Sequence, residues 1–201
     1  MIKIIIIGAL IAMLIFSIVR KLNIFGSWST TQRLSTPSEI IEISAPISIY
    51  KSAVQKTLLT VGIGIVILLI TIVIASKFKI ALIMLPISLY LIGQFFILNN
   101  HLKAARNQQI IFNTRTNQVQ IEVNKGKIDT FNLLSDIKSV TEVKSVQKNN
   151  GILFGYYKLQ TTHRNVYYIP YIIALNPETK PFFDKLQLFD REIETKLFPI
   201  I

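Results

Sequence analysis

Apolar residues follow two rhythms along this chain. Before residue 99 they come in unbroken runs. Thr57 to Ser76 is twenty residues without a charge, held between Lys56 and Lys77. Ile80 to Leu98 is nineteen more, and only Lys77, Phe78 and Lys79 separate the two. At about 1.5 Å per helical residue, twenty residues reach about 30 Å, the thickness of a bilayer's hydrocarbon core. Both runs are apolar all round, unlike the one-sided stripe of a helix that covers a soluble core. The pattern therefore predicts two transmembrane helices joined by a tight turn, an antiparallel hairpin over 56–99. A shorter run, Ile4 to Val19, spans sixteen residues between Lys3 and Arg20. Its length also suits a signal-peptide core, but the chain continues Arg20-Lys21-Leu22-Asn23 with no small-x-small cleavage site. Flanking Lys and Arg side chains lengthen a short span by reaching to the headgroups. The reading is a retained first transmembrane helix over 1–21, three in all.

After Gln108 the rhythm changes to alternation. Gln109–Asn113, then Val119, Ile121 and Val123 alternating with Gln118, Gln120 and Glu122, have the period of two that marks half-buried strands. Turns fall at Thr114–Asn117, at Asn124-Lys125-Gly126-Lys127 and at Asn149-Asn150-Gly151. Further strands are expected over Ile128–Leu133, Asp136–Val143, Leu153–Thr161 and Asn165–Ile169, with Pro170 ending the last. Pro181 then opens a segment where Phe182, Leu186, Phe189, Ile193 and Leu197 recur at helical spacing. That predicts a terminal amphipathic helix of about sixteen residues, stopped by Pro199.

The segment between the first and second spans, 22–55, reads as a loop on the cytoplasmic side. Residues 26–38 are rich in Ser and Thr and irregular, with Trp28 placed as an interfacial anchor. Glu39–Ser44 has the composition of a short strand that pairs with the soluble domain, and Pro46 is placed to open a helix running through Tyr50 and Lys51 into the second span. Pro86 is expected to kink the third helix, and Gln94 is its one strongly polar side chain. No Asp, Glu, Lys, Arg or His lies inside any span, which argues against a pump or voltage sensor built from this chain alone.

A two-helix hairpin, a strand-turn-strand unit (Ile111-Phe112-Asn113 to Asn117-Gln118-Val119), a later Asp136-Ile137-Lys138-Ser139-Val140 and a strand closing on Tyr167-Tyr168-Ile169-Pro170 resemble bacterial membrane-anchored proteins with pleckstrin-homology-like (PH-like) domains. The resemblance covers residues 57–198. It implies an α+β membrane protein in which a bent β-barrel or sheet domain over 105–201 is closed by its terminal helix. It carries no functional residue with it.

Composition sharpens this picture. Hydrophobic residues are 51% and charged residues only 16%, and the excess lies before residue 99. The net charge of +11 is dispersed. Much of it flanks the apolar runs, so a nucleic-acid interface is not expected. Arg20, Lys21, Arg33, Lys51 and Lys56, with Lys103 and Arg106, lie on one side of the expected spans, against Lys3, Lys77 and Lys79 on the other. Basic residues favour the cytoplasmic face. The N-terminus and hairpin tip are thus expected outside an inner membrane, and the β domain in the cytoplasm.

Candidate chemistry is sparse. There is no cysteine, which excludes disulfides, thiolate metal sites and cysteine nucleophiles. His101 and His163 lack ligand-spaced partners, and Asp190, Glu192 and Glu194 read as solvated surface. No catalytic residue, cofactor or metal is expected. Two features stand out as interaction sites. Lys125, Lys127, Lys144 and Lys148 lie in strand-strand turns, where they read either as contacts to an anionic membrane surface or as ordinary loop lysines. Gly8 with Ala12, and Gly62 with Gly64, allow close helix approach, either to another subunit or among the chain's own helices. The paired tyrosines Tyr156-Tyr157 and Tyr167-Tyr168 suit a core or a partner surface. Together these features lead to a non-catalytic membrane scaffold that docks protein partners, or a second copy of itself, in a membrane complex such as a secretion or envelope machine. An anionic-lipid-binding regulator and a transporter accessory subunit are the alternatives.

Overall fold

The computed structural model describes residues 39–123, 126–146, 148–149 and 151–201. The expected first transmembrane helix with Gly8 and Ala12, the Ser/Thr-rich loop, and Lys125 lie outside the described residues.

Helix α1 spans Ile47–Ala75. Pro46 precedes it with φ −65°, the angle its ring enforces and a helix start accepts. Its 29 residues make it about 43 Å long, so one end overshoots a hydrocarbon core of about 30 Å. The return limb begins as a 3₁₀ helix over Lys79–Met84 and continues as helix α2 over Leu85–Arg106. Pro86 does not kink a continuous α-helix. It falls in the first turn of α2, where the missing N–H has no intrahelical partner to lose. Both limbs are long and apolar enough to cross a membrane. They close on each other at Gly64, where an added Cβ would stand 2.7 Å from the Cβ of Leu91 and 3.1 Å from the Ser88 carbonyl.

Among the described residues, eight strands form two four-stranded sheets. The first, in order β1-β2-β3-β4, contains β1 (Ile40–Glu42), β2 (Gln108–Asn113), β3 (Gln118–Val123) and β4 (Lys127–Asn132), all antiparallel. β1 precedes the hairpin in sequence and pairs with β2, which follows it, so the hairpin is inserted within a sheet. The second, in order β7-β6-β5-β8, contains β5 (Ile137–Ser145), β6 (Gly155–Thr161), β7 (Val166–Pro170) and β8 (Arg191–Lys196). Asn117 and Arg164 take up the left-handed backbone in their tight turns. Between β7 and β8 lie two short helices, α3 (Tyr171–Ala174) and α4 (Lys180–Leu186). The described residues are α+β, with two long apolar helices and two sheets.

The terminal amphipathic helix needs correction. Helical structure ends at Leu186, and Arg191–Lys196 is a strand lying parallel to β5, with Val140 opposite Arg191 and Ser145 opposite Lys196. The first half of the apolar stripe, Phe182 and Leu186, is fully buried as the spacing requires, whereas Ile193 and Leu197 are exposed. The apolar positions that suggested a helical period here, Ile193 and Leu197, gain no burial from it. Pairing with the open edge of β5 decided for the strand, because it satisfies backbone groups along a whole strand.

The core runs without a break from the helices into the sheets. Tyr50 and Val54 of α1 and Leu98 and Leu102 of α2 belong to the same buried cluster as Phe112 of β2 and Phe182 of α4. Between the sheets, the Phe131 and Tyr167 rings stack 5.2 Å apart, and the Tyr167 hydroxyl donates to Asp129 Oδ2 at 2.7 Å.

Candidate functional site

A buried polar organisation lies where α2 meets the second sheet. Gln94 is buried inside the apolar run of the third expected span, where an unpaired amide is costly. Asn149, in the turn between β5 and β6, donates from Nδ2 to Gln94 Oε1 at 3.0 Å. Two turns further along α2, His101 is buried with Nε2 2.8 Å from the Pro199 carbonyl, so the tautomer with a proton on Nε2 donates there. Asn100 holds Ile201 twice: its Nδ2 donates to the Ile201 carbonyl at 3.1 Å and its Oδ1 accepts the Ile201 N–H at 2.8 Å. Phe198 tilts onto Tyr90 with ring centroids 5.5 Å apart, and a Cβ on Gly93 would meet its ring at 3.0 Å. The residues after β8 are thus strapped along α2 from Tyr90 to His101.

The three turn lysines among the described residues lie in different strands and turns. Lys127 opens β4 opposite Val123, which also pairs with Gln108, just past the end of α2. Lys148 is exposed in the β5–β6 turn that reaches Gln94, and Lys144 lies across from Gly155 and Thr195 in the second sheet. Along α2, Gln94 and the end of the helix at Arg106 are twelve residues apart, roughly 18 Å at helical rise, with Gln108 beyond. The two small residues of α1 also part company. Gly64 faces α2 at close range, while Gly62 has nothing within 4 Å of where its Cβ would be.

Tyr156 and Tyr167 are buried and Tyr157 is half-buried, whereas Tyr168 is exposed. Tyr156 lies against His101 and Tyr168, Tyr157 against Tyr171 and Phe183, and Tyr167 against Phe131. Burial, then the bond to Asp129 and its charge, push the Tyr167 hydroxyl up to about 12. The acidic residues of β8 are partly engaged, Glu194 by Lys196 at 2.9 Å, while Arg191 reaches Glu142 of β5 at 2.9 Å. Among the described residues no three His, Asp or Glu side chains gather as a metal site would need.

Asn149 and Asn100 are partners that sequence reasoning did not name. Each left a trace: the Asn-Asn-Gly turn, and the Asn99-Asn100-His101 triplet that ends the apolar run. Neither trace says what the side chain meets, because those contacts join residues 55 and 101 positions apart. No known family model, curated protein or solved structure matches the chain.

Proposed function

We propose that the chain is a non-catalytic, membrane-anchored docking protein of the bacterial inner membrane, with its β domain on the cytoplasmic side and the hairpin tip outside. The observation that carries this reading is the shared core. The helices overshoot the length a bilayer needs, and the overshoot is packed into the sheets rather than linked to them by a flexible tether. A domain held in that way has a fixed height and orientation over the membrane, which suits a platform for other proteins. The sheet order, with strands β1–β4 in one sheet, β5–β7 in the other and a helical segment after them, supports a PH-like relationship; β8 departs from it. The basic residues around Lys51, Lys56, Lys103 and Arg106 support the orientation.

Purification of the full chain in mild detergent tests this. A partner present in fixed stoichiometry, retained through size exclusion and lost when exposed residues of the sheets are changed, is the expected outcome. A chain that runs alone and binds anionic liposomes through Lys148 favours the lipid-reading alternative. That alternative has one specific support, the seating of the Lys148 turn against the apolar helix.

A further inference from the structure

Part of the strap over α2, at Phe198, lies at a depth where water is not expected. Starting from Lys79 at the hairpin tip, six 3₁₀ residues at about 2.0 Å and the steps from Leu85 to Leu98 at about 1.5 Å place Leu98 roughly 31 Å away, one hydrocarbon thickness. The same sum places Gly93 roughly 24 Å away. Phe198 is seated at Gly93, and Asn149 at Gln94. Phe198 and Asn149 are therefore about 6–7 Å on the hydrocarbon side of that boundary, while Asn100 and His101, which hold Ile201 and Pro199, lie about 3–5 Å beyond it at the headgroup level. What the strap and the turn expose is apolar: Leu197 is 53% exposed, Ile200 59% and Val146, at the mouth of the β5–β6 turn, 62%. Several of their polar groups have partners, the Pro199 carbonyl in His101, the Ile201 backbone in Asn100 and the Asn149 amide in Gln94, although Gln94 Nε2 itself has none. Pairing of this kind is what lipid demands of irregular backbone. Exposed cations, Lys103, Lys148 and Lys196, lie in or beside these segments, where a long side chain reaches the headgroups.

We propose that Leu197–Ile201 and the exposed Val146 at the end of β5 are inserted in the near leaflet of a phospholipid bilayer, so that the β domain is partly embedded rather than merely tethered. The proposal rests on the hairpin crossing the bilayer, and its test separates the two. The full-length chain carrying Trp28→Phe receives a single tryptophan by Ile83→Trp, Leu197→Trp, Ile200→Trp or Thr130→Trp, each at an exposed position. Each variant is reconstituted in phosphatidylcholine–phosphatidylglycerol vesicles whose acyl chains carry bromine near the headgroup end. Insertion predicts at least a twofold loss of emission at positions 197 and 200, a loss at 83 and none at 130. Quenching at 83 without quenching at 197 and 200 overturns the insertion and leaves the hairpin reading standing. No quenching at 83 overturns both.

Discussion

Gly62 and Gly64 sit two residues apart on α1 and have opposite surroundings. A side chain at position 64 must displace Leu91 and the backbone of Ser88 and Ile92, whereas one at 62 enters open space. Overpacking at such a contact costs about 1–3 kcal/mol. Gly64→Val should lower the thermal midpoint in detergent by that equivalent, while Gly62→Val should leave it unchanged within about 0.5 kcal/mol. The sequence showed two small residues; which one faces α2 follows from the pairing of two antiparallel helices, which no local pattern encodes. Gln94 and Asn149 form a second residue-scale test. Either Gln94→Leu or Asn149→Leu strands one buried amide, a loss of about 1–3 kcal/mol, and the double variant should recover much of it. Additive losses in the double-mutant cycle would contradict the pairing. Tyr167 has a raised folded-state value, so the stability it contributes is complete below pH 10 and is lost as pH rises through about 12. Alkaline unfolding followed across that window should flatten in Tyr167→Phe.

Among the elements, local pattern was decisive where one period had no competitor. The alternation of Gln118–Val123 and the uninterrupted runs on either side of Lys77–Lys79 became β3 and the two limbs of the hairpin, and Pro46 opened α1 as its geometry requires. Glu39–Ser44 yielded β1, with Ile41 opposite Phe112. The failure lies at 187–197, where Phe189, Ile193 and Leu197 fit a helix while Arg191–Lys196 forms a strand. Only the vacant edge of β5, fixed by distant residues, resolves it. Hydrogen exchange on the full chain distinguishes the two states directly. An edge strand paired on one side should protect alternate amides between Arg191 and Lys196, and a helix would protect all of them continuously.

At the scale of the whole molecule, one buried cluster extends from the upper turns of the hairpin through both sheets. The hairpin's lower two thirds present Ile63, Val66, Ile70, Phe78, Ile80 and Leu89 to the outside. An apolar surface of that extent is what a bilayer covers. The chain has no cysteine, so single cysteines can be introduced without background. Phe78→Cys marks the hairpin tip and Thr130→Cys the exposed surface of β4. In sealed vesicles of one orientation, a membrane-impermeant maleimide should modify these two sites from opposite sides. Modification of both from the same side would contradict a hairpin that crosses the bilayer.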